Sequence, residues 1–212
     1  MDKEAKKTYE MLSEINDTLL KGKSARTVSI SKEDLKFIED LHLLTLKPVL
    51  YVCNVDEGSV KSGNKHTQAV MENVKDEQAE VLIITAAMEA EIAALESYED
   101  RKSFLADIGL DEPGVNKLIH SAYKLLNLQT YLTAGVKEVR AWTIKKGMSA
   151  PEAAGVIHTD FEKGFIKAEV ISYNDYVQFR SEAACRDNGK IRIEGKEYIV
   201  QDGDVMHFRF NV

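Results

Sequence analysis

The sequence predicts a two-part protein: an α/β unit with a parallel sheet, then a smaller α+β unit of short strands around one helix. Three observations carry this. Residues 47–58, KPVLYVCNVDEG, are a Pro-initiated apolar run that stops at the polar tetrad Asn54-Val55-Asp56-Glu57. A second apolar run, 81–84, follows one helical segment later and ends at Thr85. From Leu128 onward the pattern changes to short runs separated by turn residues. Buried parallel strands read as near-continuous apolar runs, and open α/β sheets place ligand contacts beyond the carboxyl ends of their strands.

In chain order, Ala5, Tyr9, Leu12, Ile15 and Leu19 recur every three or four residues, the stripe of an amphipathic helix. Gly22 is its expected stop. After the polar linker KGKSARTVS, Ser31-x-x-Asp34 reads as an N-cap, with Leu35, Ile38, Leu41 and Leu44 continuing a short helix. The strand at 49–53 leads through a loop, 56–64, into a helix carrying Ala69, Val70 and Val74. With the strand at 81–84 this makes a βαβ unit, whose crossover is expected to be right-handed. Helices follow at about 88–97, 101–107 and 115–127. Strands are then expected at 130–133 and 138–144, a helix at 150–162, and strands at 165–171, 190–193, 198–200 and 205–210. Ser149-x-x-Glu152 with Pro151 is a capping box with Pro in the first turn. Two strands, a helix and several more strands within about 80 residues is the order of a β-grasp domain, so the boundary is placed near 127–130.

The composition, 44% hydrophobic and 30% charged, is that of an ordinary globular protein, and no apolar run approaches a membrane span. The N-terminus lacks a signal-peptide apolar core, and only Cys53 and Cys185 are present, so a reducing cytosol is expected. The net charge of −7 lies wholly in residues 1–127, with 16 Lys and Arg against 23 Asp and Glu; residues 128–212 balance at 12 each. A phosphate-rich partner therefore needs a local basic patch, expected in the second part.

KPVLYVCNVDEG, EAEIAAL, FLADIGL, TYLTAGVKEVRAWTI, GVIHTDFEKGFIKAEVISYNDY and GKEYIVQDGDVMHFRFNV together resemble the YchF/Obg-like ATPases, a branch of the P-loop GTPases. The resemblance runs over nearly the whole chain, to its last residue. It implies that residues 1–46 are the returning part of a helical arm inserted as a coiled coil. Residues 47–127 are then the trailing part of a P-loop nucleotide-binding domain, and residues 128–212 a TGS domain of β-grasp fold. The phosphate-binding half of such an enzyme is not among these residues. The resemblance further implies a parent ATPase using ATP or GTP with Mg²⁺, cytoplasmic and acting at the ribosome through its large subunit or RNA. The rival expectation is a non-enzymatic β-grasp adapter joined to a helical spacer.

By the same resemblance Asn54 buttresses the nucleobase site, the Val55 backbone reads the base edge, and Glu57 stands where Asn-Lys-x-Asp has its Asp. That Asp accepts from guanine N1–H and the 2-amino group, neither of which adenine presents. One more methylene moves the carboxylate of Glu57, which implies relaxed guanine selectivity. Thr85-Ala86 corresponds to the second base contact, a backbone N–H at a strand end. Taken without its flanks, NVDE reads as a polar strand-end turn. Gly58 and Gly63 have P-loop separation, but Asn64 intervenes before Lys65, and His66 follows instead of Ser or Thr. That segment reads as a solvated loop, so no catalytic residue is assigned and the chain alone is expected not to hydrolyse nucleotide.

His158, Asp160 and Glu162 resemble a metal trio only if extended; on a helix, residues two apart do not share a face. No metal site is assigned. Arg140, Lys145, Lys146, Lys163, Lys167 and Arg180 are the candidates for an RNA- or ribosome-facing patch, with Trp142 and Phe165 as stacking surfaces. The bland alternative is a set of solvated side chains around a core tryptophan. A βαβ unit cut midway exposes a strand edge, so the chain is also expected to self-associate.

Overall fold

The computed structural model describes residues 3–77, 79–135 and 138–211. It is a mixed α/β structure in two compact units, residues up to Leu125 and residues from Leu126.

The first unit begins with α1, Lys3–Leu20, which contains no Gly or Pro and ends before Gly22 at φ 73°. Ile15 of α1 packs with Ala25 and Ile38 in a small core, flanked by Met11, Leu12, Val28, Ile30, Leu43 and Leu46. Tyr9 and Leu20 of the same helix are 70% and 77% exposed. The helix expected through Leu44 is not continuous. Helix α2 spans only Lys32–Leu35, capped by Ser31, and gives way to short 3-10 turns at Glu39–Leu41 and Leu44–Leu46. The left-handed His42 (φ 47°) between those turns breaks the periodicity.

Strands β1 (Leu50–Asn54) and β2 (Glu80–Ile84) pair in parallel from Leu50↔Glu80 to Asn54↔Ile84. Their carboxyl ends therefore lie side by side. Between them, α3 (Lys65–Val74) opens on a capping box in which Asn64 Oδ1 accepts from the Thr67 amide and Thr67 Oγ1 accepts from the Asn64 amide. The asparagine that spoils the P-loop spacing is thus the N-cap of α3. After β2 come α4 (Ala86–Ala94), α5 (Tyr98–Ile108) and α6 (Gly114–Leu125). Glu89 of α4 caps α6, accepting from the Gly114 and Val115 amides at 2.6 and 3.1 Å, where a carboxylate also meets the positive end of the helix dipole.

The second unit is a five-stranded mixed sheet, β3 (Leu128–Ala134), β4 (Val139–Lys145), β5 (Phe165–Ile171), β6 (Arg192–Glu194) and β7 (Val205–Phe210), in the order β4-β3-β7-β5-β6. Only β3 and β7 pair in parallel. Helix α7 (Ala150–Ile157) lays Ala150, Ala153 and Ala154 against Tyr131, Ile144, Val170, Met206 and Phe208. The buried Tyr131 hydroxyl donates to the Ala153 carbonyl at 2.9 Å, tying helix to sheet. The other face is partly covered by α9 (Tyr173–Phe179) and α10 (Glu182–Asp187), through Ile171, Cys185 and Val205.

The helix expected over 150–162 is two helices. It breaks at His158 (φ −160°), whose Nδ1 accepts from the Asp160 amide at 3.2 Å and so starts α8 (Thr159–Lys163). The break folds α8 back on α7: the Glu162 carboxylate lies so close to Gly155 that a side chain there would collide with it. The expected strand at 198–200 is a single bridge, Ser149↔Ile199, flanked by hydrogen bonds from Ala150 N to Tyr198 O and from Val200 N to Met148 O. Segment 172–189 carried no element in the sequence reading. It forms α9 and α10, each started by a serine cap: Ser172 on the Asp175 amide, Ser181 on the Ala184 amide.

Candidate functional site

The parallel register brings the two polar strand ends into contact. Asn54 Oδ1 accepts the Ala86 amide at 3.0 Å, and the Val55 amide donates to the Ile84 carbonyl at 2.9 Å. Thr85, buried at 3%, directs Oγ1 toward the Asp56 carbonyl at 3.5 Å. Beyond Asp56 the chain turns through Glu57–Ser59 as a 3-10 helix, leaving Glu57 exposed at the rim. Asn54, Val55, Thr85 and Ala86 therefore converge from two separate stretches of sequence, and Glu57 follows in the exposed turn next to them.

The chemistry available there is specific. The Val55 and Ala86 amides are both engaged within the protein. With its Oδ1 occupied, Asn54 still offers its NH₂ group, a two-proton donor, and Glu57 offers an acceptor-only carboxylate.

The six basic candidates do not form one patch. Lys145 and Lys167 lie on the same sheet face but on β4 and β5, with β3 and β7 between them. Lys167 has Arg209 as its cross-strand neighbour, a residue the sequence reading passed over, and Arg209 Nε donates to Glu169 at 3.1 Å. Arg140 is on the opposite face, its guanidinium 4.1 Å above the Trp142 ring. Lys146 follows β4, Lys163 ends α8, and Arg180 caps α9 in a left-handed conformation. Phe165 is not available for stacking on bases: it is 4% exposed and meets Phe208 edge-on at 6.2 Å. Trp142 is half-buried, its indole N–H donated to Thr133 Oγ1 at 2.9 Å.

Among the described residues, no group of three or more His, Cys, Asp or Glu side chains is arranged to hold a metal ion. His158 and Asp160 sit 3.4 Å apart as part of the α8 start. No described helix is long and apolar enough to cross a membrane. The residues that sequence reasoning missed are Ser24, Arg26 and Glu77, which converge beside β1. Only the acid in the short turn after α3 and the Ser-x-Arg of the linker marked them beforehand.

Comparison with known proteins gives a consistent picture. Residues 128–211 match the C-terminal domain model of YchF GTPases, described as a protein of unknown function (DUF933). The chain is 53% identical over 211 residues to the ribosome-binding ATPase YchF of Haemophilus ducreyi, covering all of this chain and 58% of that protein. It is 50% identical over 213 residues to the protein of the same name in Bacillus subtilis, with the same coverage. The chain thus spans little more than half the length of these relatives. Among solved structures, the Schizosaccharomyces pombe YchF GTPase superposes with a TM-score of 0.81 at 33% identity, over 94% of this chain and 53% of that one. A GTP-binding protein from Pyrococcus horikoshii shares the fold, with a TM-score of 0.54 at 18% identity over 97% of this chain and 56% of that one.

Proposed function

The chain belongs to the YchF/Obg-like family of P-loop GTPases, and from that premise we propose that it supplies the base-reading half and the ribosome-facing domain of a ribosome-binding ATPase. Residues 1–46 are read as the returning part of a helical arm, 47–127 as the trailing part of the nucleotide domain, and 128–212 as a β-grasp TGS domain. The observation that carries the proposal is the convergence of Asn54 and Ala86 at 3.0 Å, with Glu57 at the rim. In this reading Asn54 NH₂ donates to the base, Glu57 replaces the carboxylate that clamps guanine, and Val55, Thr85 and Ala86 frame the slot. ATP is then accepted at least as well as GTP.

The phosphates and Mg²⁺ fall outside what these residues can hold. The sequence contains no Gly-x-x-x-x-Gly-Lys-Ser/Thr, and the carboxylates and histidines described make no ion site. Phosphoryl transfer therefore belongs to the intact parent, which acts in the cytosol, and the chain alone is inactive. Of the basic candidates, Lys167, with Arg209 as its cross-strand neighbour, is the best placed to meet RNA phosphate; Lys145 lies toward the other end of the same face. Strand β1 has β2 on one side only among the described residues, so the isolated chain self-associates through that edge. A monodisperse monomer by light scattering at high concentration would count against the last point.

The base-reading proposal is tested without phosphate, by titrating adenosine and guanosine into the ¹⁵N-labelled chain. Shifts confined to residues 54–57 and 85–87, with adenosine at least as effective as guanosine, support it. Unmoved resonances at millimolar nucleoside, or a clear guanosine preference, overturn it. Co-sedimentation with ribosomes, weakened by Lys167→Glu, tests the ribosome-facing role.

A further inference from the structure

Residues 21–29 read as a polar linker, yet two of their side chains converge on one carboxylate. Glu77 Oε1 accepts from Ser24 Oγ at 2.8 Å. Its Oε2 accepts from the Arg26 guanidinium and from the Tyr51 hydroxyl, each at 2.8 Å. Arg26 also donates through Nε to the Lys47 carbonyl at 3.0 Å, just ahead of β1. The side chains of Arg26 and Glu77 are only 14% and 15% exposed. Ala25, between the two linker donors, is fully buried against Ile15 and Ile38, and its amide donates to Thr45 Oγ1 at 3.1 Å. Lys23 adds an exposed ion pair to Asp76 at 3.2 Å.

A segment that merely spanned a gap would leave Ser24 and Arg26 in water. Here three donors from two separate stretches are aimed at one shielded carboxylate, and hydrogen bonds to an ionised acceptor are the strong ones. Removing one partner of such a pair leaves the other charge shielded and uncompensated. Tyr51 stands in β1 three residues before Asn54, and Asn54 holds the Ala86 amide.

We propose that Glu77 is a positioning residue, the pin of a joint that fixes the segment leaving α1 to strand β1, so that the placement of Asn54 follows the placement of Ser24 and Arg26. A partner that engages α1 and shifts residues 24–26 then loads β1 and, through Asn54, the loop at Ala86. The consequence for nucleotide rests on the base-reading proposal; the joint itself does not. Energetic coupling between distant sites is carried by contiguous charged and packed contacts of this kind, and it has to be demonstrated by perturbing them.

The test is hydrogen–deuterium exchange on the whole 212-residue chain, free of nucleotide, in three variants. Glu77→Gln is expected to speed exchange about tenfold in both 24–28 and 50–55, and to raise it at 84–88, with 205–210 unchanged. Tyr51→Phe keeps the Ser24 and Arg26 bonds, so it is expected to loosen 50–55 and 84–88 while 24–28 stays protected. Ser24→Ala is expected to loosen 24–28 first. A purely local packing role predicts no such division. If Glu77→Gln leaves 50–55 and 84–88 as in the unmodified chain, the joint does not position the strand and the proposal falls. Should Glu77→Gln unfold the first unit, also stripping protection from 114–125, the division between Tyr51→Phe and Ser24→Ala decides. Equal loosening of 24–28 and 50–55 by both would overturn the proposal. Because no nucleotide is present, a failed adenosine titration leaves this outcome untouched.

Discussion

Asn54 and Ala86, 32 residues apart, are joined by a single hydrogen bond of 3.0 Å between a side-chain oxygen and a backbone amide. That bond makes the end of β1 and the start of α4 one structural element. A nucleobase approaching Ala86 must share that amide with Asn54 or displace it.

Asn54→Ala removes the bond and the NH₂ donor together. The Ala86 amide is exposed and can turn to water, so the cost to folding is small, about 1 kcal/mol in the first unit. Exchange at Ala86 rises, and adenosine no longer shifts residues 54–57. Unchanged adenosine response in this variant would remove Asn54 from the site.

Glu57→Asp shortens the rim carboxylate by one methylene. In the full-length protein this moves nucleotide preference toward GTP, incompletely, because Val55 lacks the long aliphatic stem of the usual lysine. The measurement is competition between ATP and GTP before and after the substitution. The gain comes from a bidentate, charge-assisted contact, roughly twice as strong as a neutral one. Strong GTP preference in the unmodified protein would refute the reading of Glu57.

Gly164→Ala tests a close approach between backbones. A Cβ at Gly164 would lie 2.1 Å from the Asn211 carbonyl oxygen, and the Gly164 carbonyl accepts the Asn211 amide at 2.9 Å. Backbone must move, at a cost of about 1–3 kcal/mol. Gly195→Ala is the control, since nothing lies within 4 Å of its added carbon. Urea unfolding followed by circular dichroism should separate the two by at least 1 kcal/mol, an estimate on the order of the overpacking cost.

Tyr198 gives the second unit an alkaline limit. Burial, then its hydrogen bond to Asp204 at 2.8 Å, pushes the hydroxyl up to about 12. The unfolded chain loses that proton near pH 10, so between about pH 10 and 12 the unfolded state binds fewer protons and stability falls as pH rises. Tyr198→Phe, which cannot ionise, should lessen that slope without removing it, because burial also raises the hydroxyl of Tyr131 in the same unit. An identical slope in both proteins would assign the loss elsewhere.

The elements legible in the sequence were those with one dominant local signal. The two apolar runs gave β1 and β2 to within a residue of their ends, and Ser149-x-x-Glu152 gave the start of α7. What escaped was set by tertiary contact. Nothing near His158 announces a break; the return of Glu162 onto Gly155 requires it. Tyr198-Ile199-Val200 has strand composition, yet its neighbour is the turn at Met148–Ala150, and one bridge is all that fits. The pairing of Asn54 with Ala86 follows from the strand register, which the apolar pattern alone does not number. The convergence of Ser24, Arg26 and Tyr51 on Glu77 joins three stretches, each unremarkable alone.

The chain contains one tryptophan, and the contacts that fix it govern what light can report. Trp142 donates its indole N–H to Thr133 and carries the Arg140 guanidinium on its face, all within the second unit. Unfolding that unit releases both contacts and wets the ring, so emission changes in wavelength and intensity together. Both contacts belong to residues from Leu126 onward, so tryptophan emission reports directly on the packing of that unit.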